Sequence, residues 1–161
     1  MNIQFSLNSK AVSIQAAADT RLLTILRENF GLIGTKGGCY CGTCGQCTIL
    51  MNNQLVYSCL IPAFLAKGTE VMTIEGFSLT KDYQDIERAL SETNISLCAN
   101  CAPGRVLSIH ALLEEYPKPD MEQIHEALES IVCRCSGSSA LFDAVQTAGE
   151  IRRRRNRGST I

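Results

Sequence analysis

Nine cysteines in 161 residues are the part of this sequence best equipped for chemistry. Cys39, Cys44, Cys47 and Cys59 fall at the spacing C-x4-C-x2-C-x11-C, the plant-type pattern for a [2Fe-2S] cluster. Gly37, Gly38, Gly42 and Gly45 are interleaved with the first three thiols, and a loop curled round a small inorganic core draws on the positive-φ freedom of glycine. Backbone N–H groups turned toward sulfur stabilise the more negative, reduced cluster and so raise its potential. Cys41 lies inside the loop but outside the pattern, and reads as a spare loop thiol rather than a redox sensor.

A second constellation lies further along, Cys98-x2-Cys101 before Pro103-Gly104 and Cys133-x-Cys135 after a helical stretch. The pairs are 31 residues apart and meet only if the intervening helices form an antiparallel hairpin. Taken alone, a tetrahedral S₄ set suits structural zinc as well as iron–sulfur chemistry. The neighbouring plant-type loop favours a second redox centre. Eight ligands and one remainder then account for the odd cysteine count.

The elements that must position these thiols divide the chain near residue 77. Ile3–Leu7 and Ala11–Gln15 alternate about Asn8-Ser9-Lys10 as a β-hairpin. Leu22, Leu23, Ile25, Leu26 and Phe30 recur at helical spacing, with Gly31 as the stop. Thr48–Met51 and Leu55–Tyr57 flank Asn52-Asn53-Gln54 as a second hairpin, with Cys47 and Cys59 on its limbs, and Glu70–Ile74 reads as a last strand ending at Gly76. Residues 1–77 are therefore expected to form a sheet crossed by one helix, β-grasp in style. Beyond a connector at Ser78–Asp82, apolar residues at helical spacing predict four helices, around Ile86, Val106, Ile124 and Leu141. Pro103 suits a first helical turn, and Asp120 with Gln123 a capping pair. The basic run Arg152–Arg155 with Arg157 reads as an extension of the last helix or a solvated tail, and Glu114, Glu115, Asp120, Glu122 and Glu126 as a solvated helix face. His110 and His125 share no motif and read as partly buried or surface side chains.

Charge excludes some classes. Residues 1–77 hold five Lys/Arg against four Asp/Glu (+1) and the rest ten against twelve (−2), giving −1 overall; neither half has the footprint of a nucleic-acid binder. The first residues show no basic-then-apolar leader and no run is long enough for a membrane span. A cytoplasmic location is expected, and there clustered cysteines read as metal ligands rather than disulfides.

The order of motifs, Gly38-Cys39 through Cys47-Thr48, Ser58-Cys59, Thr73-Ile74-Glu75-Gly76, Cys98-Ala99-Asn100-Cys101-Ala102-Pro103-Gly104 and Cys133-Arg134-Cys135-Ser136-Gly137, resembles the small iron–sulfur subunit of the xanthine dehydrogenase family of molybdenum hydroxylases. The resemblance implies an α+β fold: a plant-type, ferredoxin-like β-grasp domain over 1–77, then a four-helix-bundle [2Fe-2S] domain over 78–161 with a basic tail. It implies an electron-transfer subunit with two [2Fe-2S] clusters, the first on Cys39, Cys44, Cys47 and Cys59, the second on Cys98, Cys101, Cys133 and Cys135, and no substrate-catalytic residue of its own. Partners would be a large molybdopterin-binding subunit, oxidising a purine, another N-heterocycle or an aldehyde, and a FAD-binding subunit. Cys135 would lie closest to the pterin. Arg134, between two ligands, would raise the cluster potential or stabilise its loop. This sequence departs from the family pattern at Leu97, where a Gln beside the pterin is usual, at Ala99-Asn100, at Ser130-Ile131 in place of Gly-Asn, and at Ser138 in place of Tyr. These departures gather at the second site and leave open a free-standing two-cluster carrier or sensor, or a zinc-stabilised module.

Overall fold

The computed structural model describes residues 1–135 and 138–158, the side chains of 138–140 excepted. Strands β1 (Asn2–Leu7) and β2 (Lys10–Gln15) pair antiparallel with Leu7 opposite Lys10. Their turn is Asn8-Ser9 alone, at φ 50° and 67°, the two-residue form whose twist matches that of the strands. Strands β3 (Thr48–Met51) and β4 (Gln54–Tyr57) repeat the device across Asn52-Asn53, at φ 49° and 64°. Each turn is one residue shorter than the sequence suggests, because its third residue joins the ladder. With β5 (Glu70–Met72) the sheet runs β2-β1-β5-β3-β4, and only β1 and β5 are parallel.

The expected helix forms as one turn, α1 (Leu22–Thr24), that widens into a π turn over Ile25–Asn29, with Phe30 N–H donating to the Ile25 carbonyl. Its Leu22, Ile25 and Leu26 pack on Ile3, Phe5, Leu7, Ile49 and Val71 as the core of the sheet half. The last strand stops earlier than the alternation of Glu70–Ile74 predicts. Thr73 turns its N–H and hydroxyl to side chains, donating N–H to Asn8 Oδ1 at 2.9 Å, accepting from Asn8 Nδ2 at 3.1 Å and donating its hydroxyl to Glu75 Oε2 at 2.6 Å. The ladder therefore ends at Met72, and Ile74–Phe77 turn as the short helix α2.

Four longer helices follow, as the periodicity predicts: α3 (Lys81–Glu92), α4 (Ala102–Glu115), α5 (Met121–Glu129) and α6 (Ser138–Gly158). Thr80 caps α3, and Asp120 and Gln123 make a reciprocal capping box on α5. Helix α4 is buried on nearly every side and runs through the second core, which includes Ile86, Leu107, Leu113, Ile124, Leu128 and Val145. Leu50 of β3 and Phe77 join that core, so sheet and bundle share a packed boundary. No helix of the described residues is long and apolar enough to cross a membrane.

The basic end of α6 is not a solvated tail throughout. The apolar stripe Leu141, Val145, Ala148 continues at the same helical phase into Arg152 and Arg155. Buried Arg152 pairs with Glu114 at 3.0 Å and Asp82 at 3.5 Å and lies 3.2 Å from His110 Nδ1, while Arg155 reaches Asp82 and Asp85. Asp82, His110 and Glu114 are close enough together to hold a cation, and the Arg152 guanidinium pairs with all three. Burial raises the Asp82 carboxyl, but Arg155 and Arg152 outweigh it and hold it below its ordinary value.

His110 is 8 % exposed, with its ring 4.6 Å from that of Phe77. Burial first, then the charge of Arg152, lowers its pKa, against a weaker pull from Asp82 and Glu114. An unfolded imidazole titrates near 6.5. Below that pH the unfolded chain takes up a proton that the folded chain resists, so stability falls as pH drops from about 6.5 toward the depressed folded value, by at most about 1.4 kcal/mol per pH unit. His110→Gln, which keeps an acceptor for Arg152, is expected to flatten the fall in urea midpoint between pH 7 and pH 5. An unchanged fall would assign it to other groups.

Candidate iron–sulfur sites

The first thiol set stands where the loop after α1 meets the β3–β4 hairpin. Cys39 Sγ accepts three backbone N–H groups, from Thr43 at 3.3 Å, Cys44 at 3.4 Å and Cys41 at 3.5 Å. Hydrogen bonding by Thr43, then by the Cys41 and Cys44 amides, holds the Cys39 thiol down to about 5. Gly42 and Gly45, at φ +81° and +67°, make the reversals that turn those amides inward. Cys47 and Cys59 flank the hairpin, both buried, and burial pushes Cys47 up to about 12. Cys41 is exposed, its sulfur 3.5 Å from Thr43 Oγ1.

The second set forms at the N-terminal end of α4. The sulfurs of Cys98, Cys101 and Cys133 lie within 4.8 Å of one another, and Cys135 joins them through its N–H, which donates to Cys133 Sγ at 3.4 Å. Burial first, then Cys98 and Cys133, pushes Cys101 up to about 12, whereas the Cys101 amide lowers Cys98. A bound metal would override both, since a coordinating thiol is deprotonated outright. The antiparallel α4–α5 hairpin thus closes the gap between the two pairs.

Comparison with known proteins shows the family to which the chain belongs. Residues 5–71 match the family described as 2Fe-2S iron-sulfur cluster binding domain, and residues 73–146 the one described as [2Fe-2S] binding domain. The chain is 34% identical over 152 residues to a nicotinate dehydrogenase subunit of Pseudomonas putida, covering 94% of this chain and 97% of that one. It is 35% identical over 150 residues to the nicotinate dehydrogenase small FeS subunit of Eubacterium barkeri, covering 93% and 96%. The chain belongs to the small iron–sulfur subunits of the xanthine dehydrogenase family. A crystal structure of quinoline 2-oxidoreductase from Pseudomonas putida 86 superposes on it with a TM-score of 0.86 at 31% identity, covering 96% of each chain.

Within this iron–sulfur subunit the two thiol loops are fastened directly to each other. Val132 N–H donates to the Cys44 carbonyl at 3.0 Å, and the Tyr57 hydroxyl to the Ser130 carbonyl at 3.0 Å. Gly45 is buried under this seat, where an added Cβ would stand 2.2 Å from the Ser130 carbonyl. Gly45→Ala adds that clash to a left-handed backbone costing about 1–3 kcal/mol for a residue other than glycine. It is expected to lower the thermal midpoint by several degrees and to weaken iron retention. A midpoint within a degree of the parent would show that the seat yields freely.

Three of the departures near the second site, Ser130, Ile131 and Leu97, have local contacts of their own, and nothing in the structure explains Ala99-Asn100. Ser130 hydrogen-bonds through Oγ to the Ala127 carbonyl, Ile131 is buried against Gly45 and Gly104, and Leu97 packs partly buried on the helical core. Arg134 is exposed, so solvent screens its charge. Ser136 and Gly137 of the last motif, and the Ser138 side chain, lie outside the described residues. His125 is exposed beside Glu129, and of the acidic set Glu114 is the member that pairs with Arg152. Sequence reasoning missed Tyr57, Arg105 and the Arg152 network. Only Arg152 carried a signal, the continuation of an apolar stripe.

Proposed function

We propose that this subunit carries electrons, inside a hetero-oligomer, from a large molybdopterin-binding subunit to a FAD-binding subunit or another acceptor. Cys39, Cys44, Cys47 and Cys59 would hold one [2Fe-2S] cluster on the sheet half, residues 1–77. Cys98, Cys101, Cys133 and Cys135 would hold the other on the helical half, residues 78–161. The donor sets suit those groups: one is a gathered set of soft sulfurs, and the other has three amides aimed at a single thiolate. When bound, each cluster supplies reversible one-electron oxidation and reduction.

The observation that carries this reading is the Val132–Cys44 hydrogen bond. Cys44 belongs to one set and Val132 adjoins Cys133 of the other, so a few covalent bonds and one hydrogen bond connect the two. A merely structural pair of sites has no need of that link. The relatives' names span nicotinate, xanthine, aldehydes and quinoline at similar identity, so the large subunit would oxidise a purine, another N-heterocycle or an aldehyde. Cysteines gathered at metal-ligand spacing rather than as a disulfide framework suit a reducing compartment, the cytoplasm.

Purification of the tagged chain from its own cells tests the assembly. Molybdenum, pterin and FAD are expected to elute with it in constant ratio. A chain that elutes alone with both clusters would be a free-standing carrier, the reading that Leu97 would favour.

A further inference from the structure

Arg105 is a buried charge with no ion pair among the described residues. It is 3 % exposed, and its Nε and Nη1 are buried without a hydrogen-bond partner among them. The arginines that form ion pairs among the described residues are Arg88, Arg152, Arg154 and Arg155. A guanidinium cannot escape this by losing its proton, and an unpaired buried cation is far costlier than an exposed one.

Its position on α4 indicates where the answering charge lies. Arg105 N–H donates to the Cys101 carbonyl at 3.0 Å, so the two residues stand one turn apart on one helix face. Helical side chains lean back toward the N-terminus and cover the preceding turn. For Arg105 that is the turn bearing Cys101, which is itself 4 % exposed. Four thiolates on an iron–sulfur core are anionic in both oxidation states and more so when reduced.

We propose that Arg105 is the built-in counter-cation of the second cluster and raises its reduction potential, an inference that rests on the two-cluster reading above. The charge favours the reduced form, and because it is buried it is screened less than that of exposed Arg134.

The test is a redox titration followed by electron paramagnetic resonance on the cluster-loaded full chain, with the second-site signal assigned as the one that Cys133→Ser removes. In Arg105→Met the reduced fraction of that signal at a fixed potential is expected to fall at least about tenfold, a shift of about 59 mV for one electron. Arg105→Lys, which keeps the charge, should stay near the parent, and the first-site signal should not move in either variant. Loss of the second signal in Arg105→Met with retention in Arg105→Lys would support the same assignment. An unmoved potential in Arg105→Met, the same change in both variants, or equal shifts of both signals would overturn it. A parent protein with one signal would instead overturn the two-cluster reading, and this inference with it.

Discussion

The Cys133→Ser protein is expected to keep about two irons and two acid-labile sulfides per chain and to lose about as many, with one of two reduced resonance signals gone. Cys133 stands within 4.8 Å of Cys98 and Cys101. A serine hydroxyl there lacks the soft thiolate that the metal selects. The other set should persist because its ligands belong to different elements: Cys39 and Cys44 to the loop after α1, Cys47 and Cys59 to the limbs of the β3–β4 hairpin, which packs chiefly in the sheet core. Loss of both signals together would mean that the seat of Ser130–Val132 on Cys44 and Gly45 makes one cooperative site of two.

Arg152→Met is expected to cost about 2–4 kcal/mol in urea unfolding at pH 7, about 1 kcal/mol less than breaking a fully buried pair from one side. Arg152 is 7% exposed at its side chain, but Glu114 is 52% and Asp82 30% exposed, so water recovers part of the loss. What remains is an Asp82 carboxylate answered by Arg155 and a buried His110 ring without its partner on α6. For a domain of this size the thermal midpoint should fall by roughly 5–15 °C. Arg154→Met is the control: Arg154 is 81% exposed beside Glu150, and pairs of that kind contribute about 0.3–0.5 kcal/mol. Equal losses in the two variants would remove the network from any account of how α6 is held against α3 and α4.

What was legible in the sequence was whatever chemistry enforces locally. The plant-type spacing implied a loop and a hairpin because Cys47 and Cys59 must flank paired strands, and helical periodicity placed α3 to α6 because their apolar residues recur at helical spacing. What escaped depends on residues far apart in the chain. The early end of β5 is imposed on Thr73 by Asn8, across 65 positions. Arg152 looks like part of a basic run until α3 and α4 bring Asp82, His110 and Glu114 to it. Arg105 is hidden for the opposite reason: one cation inside an apolar helix breaks no periodicity, and its burial emerges only when the bundle closes. At the second site the thiol spacing could be read, but the seating of Ser130–Val132 on Gly45 could not, since it joins segments that share no motif.

The central claim is that one chain holds two [2Fe-2S] centres, and its most direct test is the iron, acid-labile sulfide and zinc content of protein purified without oxygen, with paramagnetic resonance after dithionite reduction. About four irons and four sulfides per chain, no zinc and two distinct reduced signals are the predicted result. About two irons with one zinc and a single signal would contradict it, leaving Cys98, Cys101, Cys133 and Cys135 as a structural zinc site beside one redox centre.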